Sequence, residues 1–297
     1  MIGNHLASQG FFEILANSLT SPDYHKLSKN INVAHNVNML NPLSNDLSVM
    51  RQSMLFSGLS AISYNINRKR ANLKFFEFGK TYHQYESART ENKHLTLFAS
   101  GNRNEDSWTQ PNQKTDFYFL KATAENILTR LGITGFNSKP LNNSDFSEGI
   151  QLKANTKEVG QLGLVKKSIL KKFDIKQDVL YADFNWDVIL ELVAKTEIVF
   201  KDIPKYPQVK RDFALLLDNS TTFKEIHDLA FQTERKFLKQ VNLFDVYTGK
   251  KLPEGKKSYV VCFTLLDEKN TLTDKQIDKI MGKLQKQYET VLSAELR

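Results

Sequence analysis

The 297-residue sequence has one cysteine, Cys262, so no disulfide can close within the chain. It has no apolar run near the roughly 20 residues that a membrane helix needs. Its opening residues, Met1-Ile2-Gly3-Asn4-His5, lack the basic and then apolar start of a secretory leader. A reducing cytoplasm and no membrane are the expectations that follow. Gly-rich phosphate loops and Gly-x-Ser-x-Gly elbows are absent, which argues against a P-loop enzyme and an α/β-hydrolase. The six histidines, at 5, 25, 35, 83, 94 and 227, fall in no metal-ligand spacing. Glu77 and His83 read as a solvated strand end, not as an acid–base pair.

What is present belongs to an ordinary globular protein: 40% hydrophobic and 25% charged residues, over a length that allows two cores. The net charge is +8. Residues 1–200 hold 23 Lys/Arg against 19 Asp/Glu, and residues 201–297 hold 18 against 14. Each part is therefore +4, but the tail packs its excess into half the length, which favours polyanionic partners weakly.

The tail has the clearest order of elements. Arg211 to Asp218 predicts a strand, and Thr222 with Glu225 forms a capping box that opens a helix. Its apolar side is Phe223, Ile226, Leu229 and Ala230. Strands follow at Val241–Tyr247 and Ser258–Leu266, with a turn through Gly249 to Gly255 between them. Tyr259 to Phe263 reads as a buried run with Cys262 as core filler. A second helix after Thr273 carries Ile277, Ile280, Met281, Leu284 and Tyr288, and a short strand fits Ala294–Leu296. The order βαββαβ is that of a ferredoxin-like unit with helices over one sheet face.

Residues 1–200 predict an antiparallel sheet with flanking helices, an α+β arrangement. Helices are expected at Ile2–Gln9, from Met50 through Ile62, and from an Asp116 cap to Leu131. Strands are expected at Phe11–Ser18, Asn72–Tyr82, His94–Ser100, Gly149–Ala154, Glu158–Leu164 and Tyr181–Phe184. Asn102–Gln113 reads as a polar loop. Residues 201–207, with Pro204 and Pro207, read as a linker to a domain spanning 208–297.

Several of these stretches together resemble one family. Asn41-Pro42-Leu43-Ser44, Met50-Arg51-Gln52-Ser53-Met54-Leu55, Asn65 and Phe75-Phe76-Glu77-Phe78-Gly79-Lys80 are similar to the carboxyl-terminal half of bacterial phenylalanyl-tRNA synthetase beta subunits. So are Asp116-Phe117 with Leu120-Lys121, and, in the tail, Arg211-Asp212, Phe244-Asp245-Val246-Tyr247, Gly255-Lys256-Lys257-Ser258 and Leu296-Arg297. Ser147-Glu148 and Lys166-Lys167 depart from the family's usual His-Pro pairs. The resemblance implies that 1–200 is an inactive class II synthetase-like core that contacts a catalytic alpha subunit. It implies that 208–297 is a ferredoxin-fold anticodon-binding domain. It also implies that the family's amino-terminal modules, including the one associated with editing, are not in this sequence. ATP and magnesium chemistry would belong to the alpha subunit in an alpha2beta2 assembly, with no cofactor in this chain, and the RNA partner would be tRNA(Phe).

The sequence tests the inactivity on physical grounds. Charge develops on the phosphates as an adenylate forms, and class II enzymes meet it with an arginine two residues before a glutamate, plus a late arginine. Here Phe75 stands two residues before Glu77, and no arginine lies between Arg130 and Arg211. A lysine does not replace a bidentate guanidinium without loss.

For RNA, Tyr247 is the expected stacking ring. Asp245, two residues earlier on the same strand face, is placed to accept from a guanine edge, and Ser258 lies across the hairpin. Arg211, Lys257 and Arg297 are the expected phosphate contacts. Lys250, Lys251 and Lys256 are explained nearly as well by solubility. The rival to this reading is a stand-alone ferredoxin-like metabolite-binding regulator.

Overall fold

The computed structural model describes residues 1–197, 199–200, 202–249 and 252–297. Lys250 and Lys251 of the expected turn lie outside the described residues. Two compact units divide the chain, Met1–Ile198 and Val199–Arg297.

The first unit runs α1 (Ile2–Ser8), β1 (Phe12–Glu13), β2 (Leu19–Thr20), β3 (Val49–Met50), α2 (Leu55–Ile66), β4 (Leu73–Gln84) and β5 (Arg89–Ser100). It continues with α3 (Phe117–Arg130), β6 (Phe136–Pro140), β7 (Phe146–Ala154), β8 (Lys157–Val165), α4 (Lys167–Lys172), β9 (Val179–Asn185) and α5 (Trp186–Val193). Seven strands make one sheet in the order β1-β4-β5-β9-β8-β7-β6. Only β1 is parallel to its neighbour. Alternate residues of β9 separate two cores. Leu180, Ala182 and Phe184 join α3 and Ile189 of α5 on one side. Val179 and Tyr181 join Phe98 and Leu55, Leu59 and Ile62 of α2 on the other. Gly58 lets α2 lie flat on that second core, because any Cβ there would enter the Phe98 ring.

Two secondary-structure expectations are corrected in this unit. Phe11–Ser18 is not one strand, because only Phe12–Glu13 pair with β4. Met50 does not begin the helix: it pairs with Leu19 in a separate two-stranded ribbon, and α2 starts at Leu55. Edge strand β6 and helix α5 were not anticipated. Of the five residues of β6 none is buried, so hydrophobic patterning carries little signal there.

The second unit runs β10 (Val209–Asp218), α6 (Phe223–Thr233), β11 (Leu238–Tyr247), β12 (Lys256–Leu265), α7 (Asp274–Leu292) and β13 (Glu295–Leu296). The strand order is β11-β12-β10-β13, all neighbours antiparallel. Both helices open with complete capping boxes, Thr222 with Glu225 and Thr273 with Gln276. Their apolar stripes (Ile226 and Ala230; Ile277, Ile280, Leu284 and Tyr288) bury Leu215, Leu217, Val261, Phe263 and Leu265. The Tyr288 hydroxyl donates to the Ile226 carbonyl at 3.2 Å, and burial pushes its pKa well above the usual phenol range.

Candidate nucleic-acid interface

The helix-facing residues of β10 and β12 are odd-numbered, so the even-numbered ones line the other side of the sheet. The strand register turns that side into rows. One row reads Tyr247, Ser258, Leu216, Glu295, and the next reads Asp245, Val260, Ala214. The Arg297 amide donates to the Ala214 carbonyl at 2.9 Å, which extends the second row to Arg297.

A β-bulge delivers the two key residues of β11. Val241 and Leu243 face the helices, opposite Phe263 and Val261. An unbroken alternation would send Asp245 and Tyr247 to the same side. The register shifts between Leu243 and Asp245, leaving Phe244 as the extra residue, and the phase reverses. Asp245 is therefore exposed beside Val260, and Tyr247, 39% exposed, sits opposite Ser258. Gly249 closes over the ring, and a Cβ at that position would collide with the phenol.

The structure brings together four of the six sequence-predicted site residues: Asp245, Tyr247, Ser258 and Arg297. It separates the other two. Lys257 adjoins Ser258 in β12, so alternation turns it to the helix side. There it is only 9% exposed, donates to the Asn219 carbonyl at 2.9 Å and lies over the Tyr259 ring. Arg211 pairs in register with the buried Phe263 and so also belongs to the helix side, although it is exposed at the margin. Its guanidinium donates to the Lys210 carbonyl at 3.0 Å.

Cys262 is likewise corrected from core filler. It lies half-buried on the helix-free side beside Asp212, and burial first, then Asp212, pushes its thiol pKa up. The side as a whole is ring-bearing but not cationic. Among the described residues its sheet positions hold Lys210, Lys256 and Arg297 against Asp212, Asp218, Asp245 and Glu295. Lys256 is already paired with Asp218 at 3.0 Å.

The first unit has a polar sheet surface of its own. Glu77, Thr96, Asp183 and Gln161 stand side by side across four strands, with Phe75, Phe98 and Tyr181 in the parallel row. Glu77 is not a solvated strand end. It is fully buried and paired with Arg51, 3% exposed, at 2.9 Å. Arg51 also donates to the Lys80 carbonyl at 3.0 Å and to the Ser57 hydroxyl at 3.3 Å. Burial raises the Glu77 pKa, although Arg51 and the Ala16 amide oppose the rise. His94 meets Asp183 at 2.7 Å and Thr81 at 2.9 Å. Burial alone would lower the His94 pKa; the attraction and hydrogen bond of Asp183 leave it raised. Phe75 is buried among aromatic rings.

Two family models cover the chain. One, described as the phenylalanyl tRNA synthetase beta chain CLM domain, matches residues 1–186. The other, described as the ferredoxin-fold anticodon binding domain, matches residues 204–297. Curated relatives named as phenylalanine–tRNA ligase beta subunits align with the chain. The Bacteroides thetaiotaomicron protein is 45% identical over the whole chain, and that of Porphyromonas gingivalis is 40% identical. The Lactobacillus acidophilus protein is 31% identical over 97% of it. Their shared name is that of an enzyme subunit, not of a metabolite-binding regulator. The chain spans 38% of the length of the first two and 36% of the third. A solved pyrrolysyl-tRNA synthetase from Desulfitobacterium hafniense aligns with 66% of the chain and 65% of its own at 17% identity, with a TM-score of 0.49.

Proposed function

The chain belongs to the phenylalanyl-tRNA synthetase beta-chain family, and on that premise we propose that it is the carboxyl-terminal part of such a subunit, one that holds the anticodon region of tRNA(Phe). The observation that carries this reading is the bulge that sets Tyr247 and Asp245 on the helix-free side of the second unit, across from Ser258. An unstacked base lies on the Tyr247 ring, a contact worth roughly 1–3 kcal/mol. Asp245 accepts from base N–H groups, guanine N1–H and N2–H₂ being suitable donors. Ser258, 7% exposed opposite Tyr247, offers a neutral hydrogen bond only at the edge of that ring, and Arg297 meets a phosphate. Lys257 ties β12 to the turn after β10 and supports the surface from behind. Arg211 stands at its margin.

The first unit acts as a scaffold for the catalytic alpha subunit in an alpha2beta2 enzyme of the cytoplasm. Phenylalanine activation with ATP and magnesium takes place on the alpha subunit. Two features support a non-catalytic first unit: Phe75 offers no charge to a phosphate, and Glu77 is occupied by Arg51. Residues 1–200 and 208–297 are the two functional parts, joined by 201–207.

The test is binding of a tRNA(Phe) anticodon hairpin by fluorescence anisotropy. Tyr247→Ala is expected to weaken it about 5- to 150-fold, the equivalent of 1–3 kcal/mol, while Tyr247→Phe keeps most of the affinity. In the complete enzyme, Tyr247→Ala raises the half-saturating tRNA concentration for charging. Unchanged hairpin affinity in Tyr247→Ala would remove the assigned role.

A further inference from the structure

Among the described residues, the sheet positions on the helix-free side of the second unit hold three cations against four carboxylates, too few to neutralise a nucleic-acid backbone, so phosphate contacts beyond Arg297 must be sought elsewhere. The first unit supplies a candidate. The turn after α2 contains Arg68, Lys69 and Arg70, all exposed. The segment from Lys166 to Asp178 contains five lysines against Asp174 and Asp178, and Lys114 shares a hollow with Asn67 and Lys176. These segments sum to +3, +3 and +1, or +7. Residues 1–200 total +4, so the remainder of those residues is −3. The positive charge of the first unit is therefore concentrated, not spread for solubility.

The segments are adjoining in space. The Gln177 side-chain amide donates to the Ala71 carbonyl at 2.7 Å, stitching the second segment to the turn. Three shallow hollows follow the junction. Lys69 and Arg70 line one with Glu13 and Glu105, Lys114 and Lys176 the next with Asp174, and Lys167, Lys171 and Lys176 the third with Asp174 and Asp178. None of these cations takes part in an ion pair among the described residues. Eight of them (Arg68, Lys69, Arg70, Lys114, Lys167, Lys171, Lys172 and Lys176) are exposed. Lys69 sits at φ 66 and Asp174 at φ 57, so both turns bend sharply.

We propose that this strip is a second RNA-binding site, a track for the phosphodiester backbone of a helical segment, which adds affinity without reading sequence. A row of unpaired cations beside shallow hollows suits a chain of evenly spaced charges. The choice of RNA as the polyanion rests on the function proposed for the second unit, and the experiment separates the two.

The probes are a 12-base-pair RNA duplex without an anticodon loop and, in parallel, vesicles of phosphatidylserine and phosphatidylcholine. The proteins are the 297-residue chain, its Lys69→Gln/Arg70→Gln/Lys176→Gln variant, and a charge-matched variant with Lys29, Lys139 and Lys195 changed to Gln. Tyr247→Ala is the fourth protein. The strip variant is expected to lose about tenfold in duplex affinity at low salt. The slope of log affinity against log salt should fall by up to about 2.7, or 0.9 for each cation removed. The matched variant and Tyr247→Ala should bind the duplex like the parent. Equal loss in the strip and matched variants, or no loss in either, overturns the strip. A strip variant that loses vesicle binding as much as duplex binding also overturns it, by assigning the surface to anionic lipid. If Tyr247→Ala leaves hairpin binding intact while the strip variant loses the duplex, the anticodon reading fails and the strip stands.

Discussion

Replacing Arg51 with methionine tests whether a buried ion pair holds the first unit together. Glu77 is fully buried, and Arg51 is its ion-pair partner, at 2.9 Å. The second carboxylate oxygen of Glu77 has no hydrogen-bond partner, and the first has, besides Arg51, the neutral Ala16 amide at 3.4 Å. Removing one member of such a pair costs about 3–5 kcal/mol, because an uncompensated charge stays buried. That is a large part of the roughly 5–15 kcal/mol that holds a typical domain. Arg51→Met also orphans the Lys80 carbonyl that Arg51 bonds.

The loss should depend on pH, with a definite sign. Burial already raises the Glu77 pKa above the ordinary glutamate value. A carboxyl raised in the folded state holds its proton more tightly folded than unfolded. Its contribution is therefore present at low pH and is lost as pH climbs through the folded value. Without Arg51 the rise is larger, so protonation relieves more of the damage. Urea unfolding followed by tryptophan fluorescence reads this directly, because both tryptophans, Trp108 and Trp186, belong to the first unit. Trp186 packs against Phe78 at 5.1 Å and should report its unfolding. The expected cost is about 3–5 kcal/mol at pH 8, shrinking by up to about 1.4 kcal/mol per pH unit as the solution becomes mildly acidic. Adding Glu77→Met to Arg51→Met should recover most of it. A cost below about 1 kcal/mol at pH 8, or one that does not change with pH, would refute the reasoning.

Two further outcomes are expected. Gly249→Ala should displace the Tyr247 ring and lower hairpin affinity, with thermal stability of the second unit unchanged; a variant that binds like the parent would show that the ring's resting place is immaterial. His94 is raised by Asp183, so its contribution to stability is present below the ordinary histidine value and is lost as pH rises through the folded one. Asp183→Asn should accordingly cost most near pH 6 and least above pH 8, measured by denaturant titration; equal loss at both would place the effect in packing alone.

Much of the second unit was legible in the sequence because its signals are local. Thr222 with Glu225, and Thr273 with Gln276, sit three residues apart and cap their helices without outside help. The order βαββαβ follows from those caps and the alternation between them. Even the error at Lys257 was avoidable: adjacent residues of a strand point to opposite sides, so Lys257 and Ser258 could not share a surface. In the first unit the legible parts were again local, such as the Asp116 cap of α3, whose carboxylate accepts from the Phe119 amide at 2.8 Å.

The sequence by itself determined the order of elements in the second unit, where the helices capped by Asp116, Thr222 and Thr273 begin, and that Phe75 stands two residues before Glu77. Only the tertiary structure decided which of those residues meet. Arg51 and Glu77 find each other through the fold of β4 against the segment before α2, and no local pattern encodes a partner 26 residues away. The cationic strip likewise joins a turn near residue 70 to one near 175. The bulge before Asp245 is the clearest case: unbroken alternation would have buried Tyr247 under the helices, and a one-residue slip in pairing with β12 turned it outward.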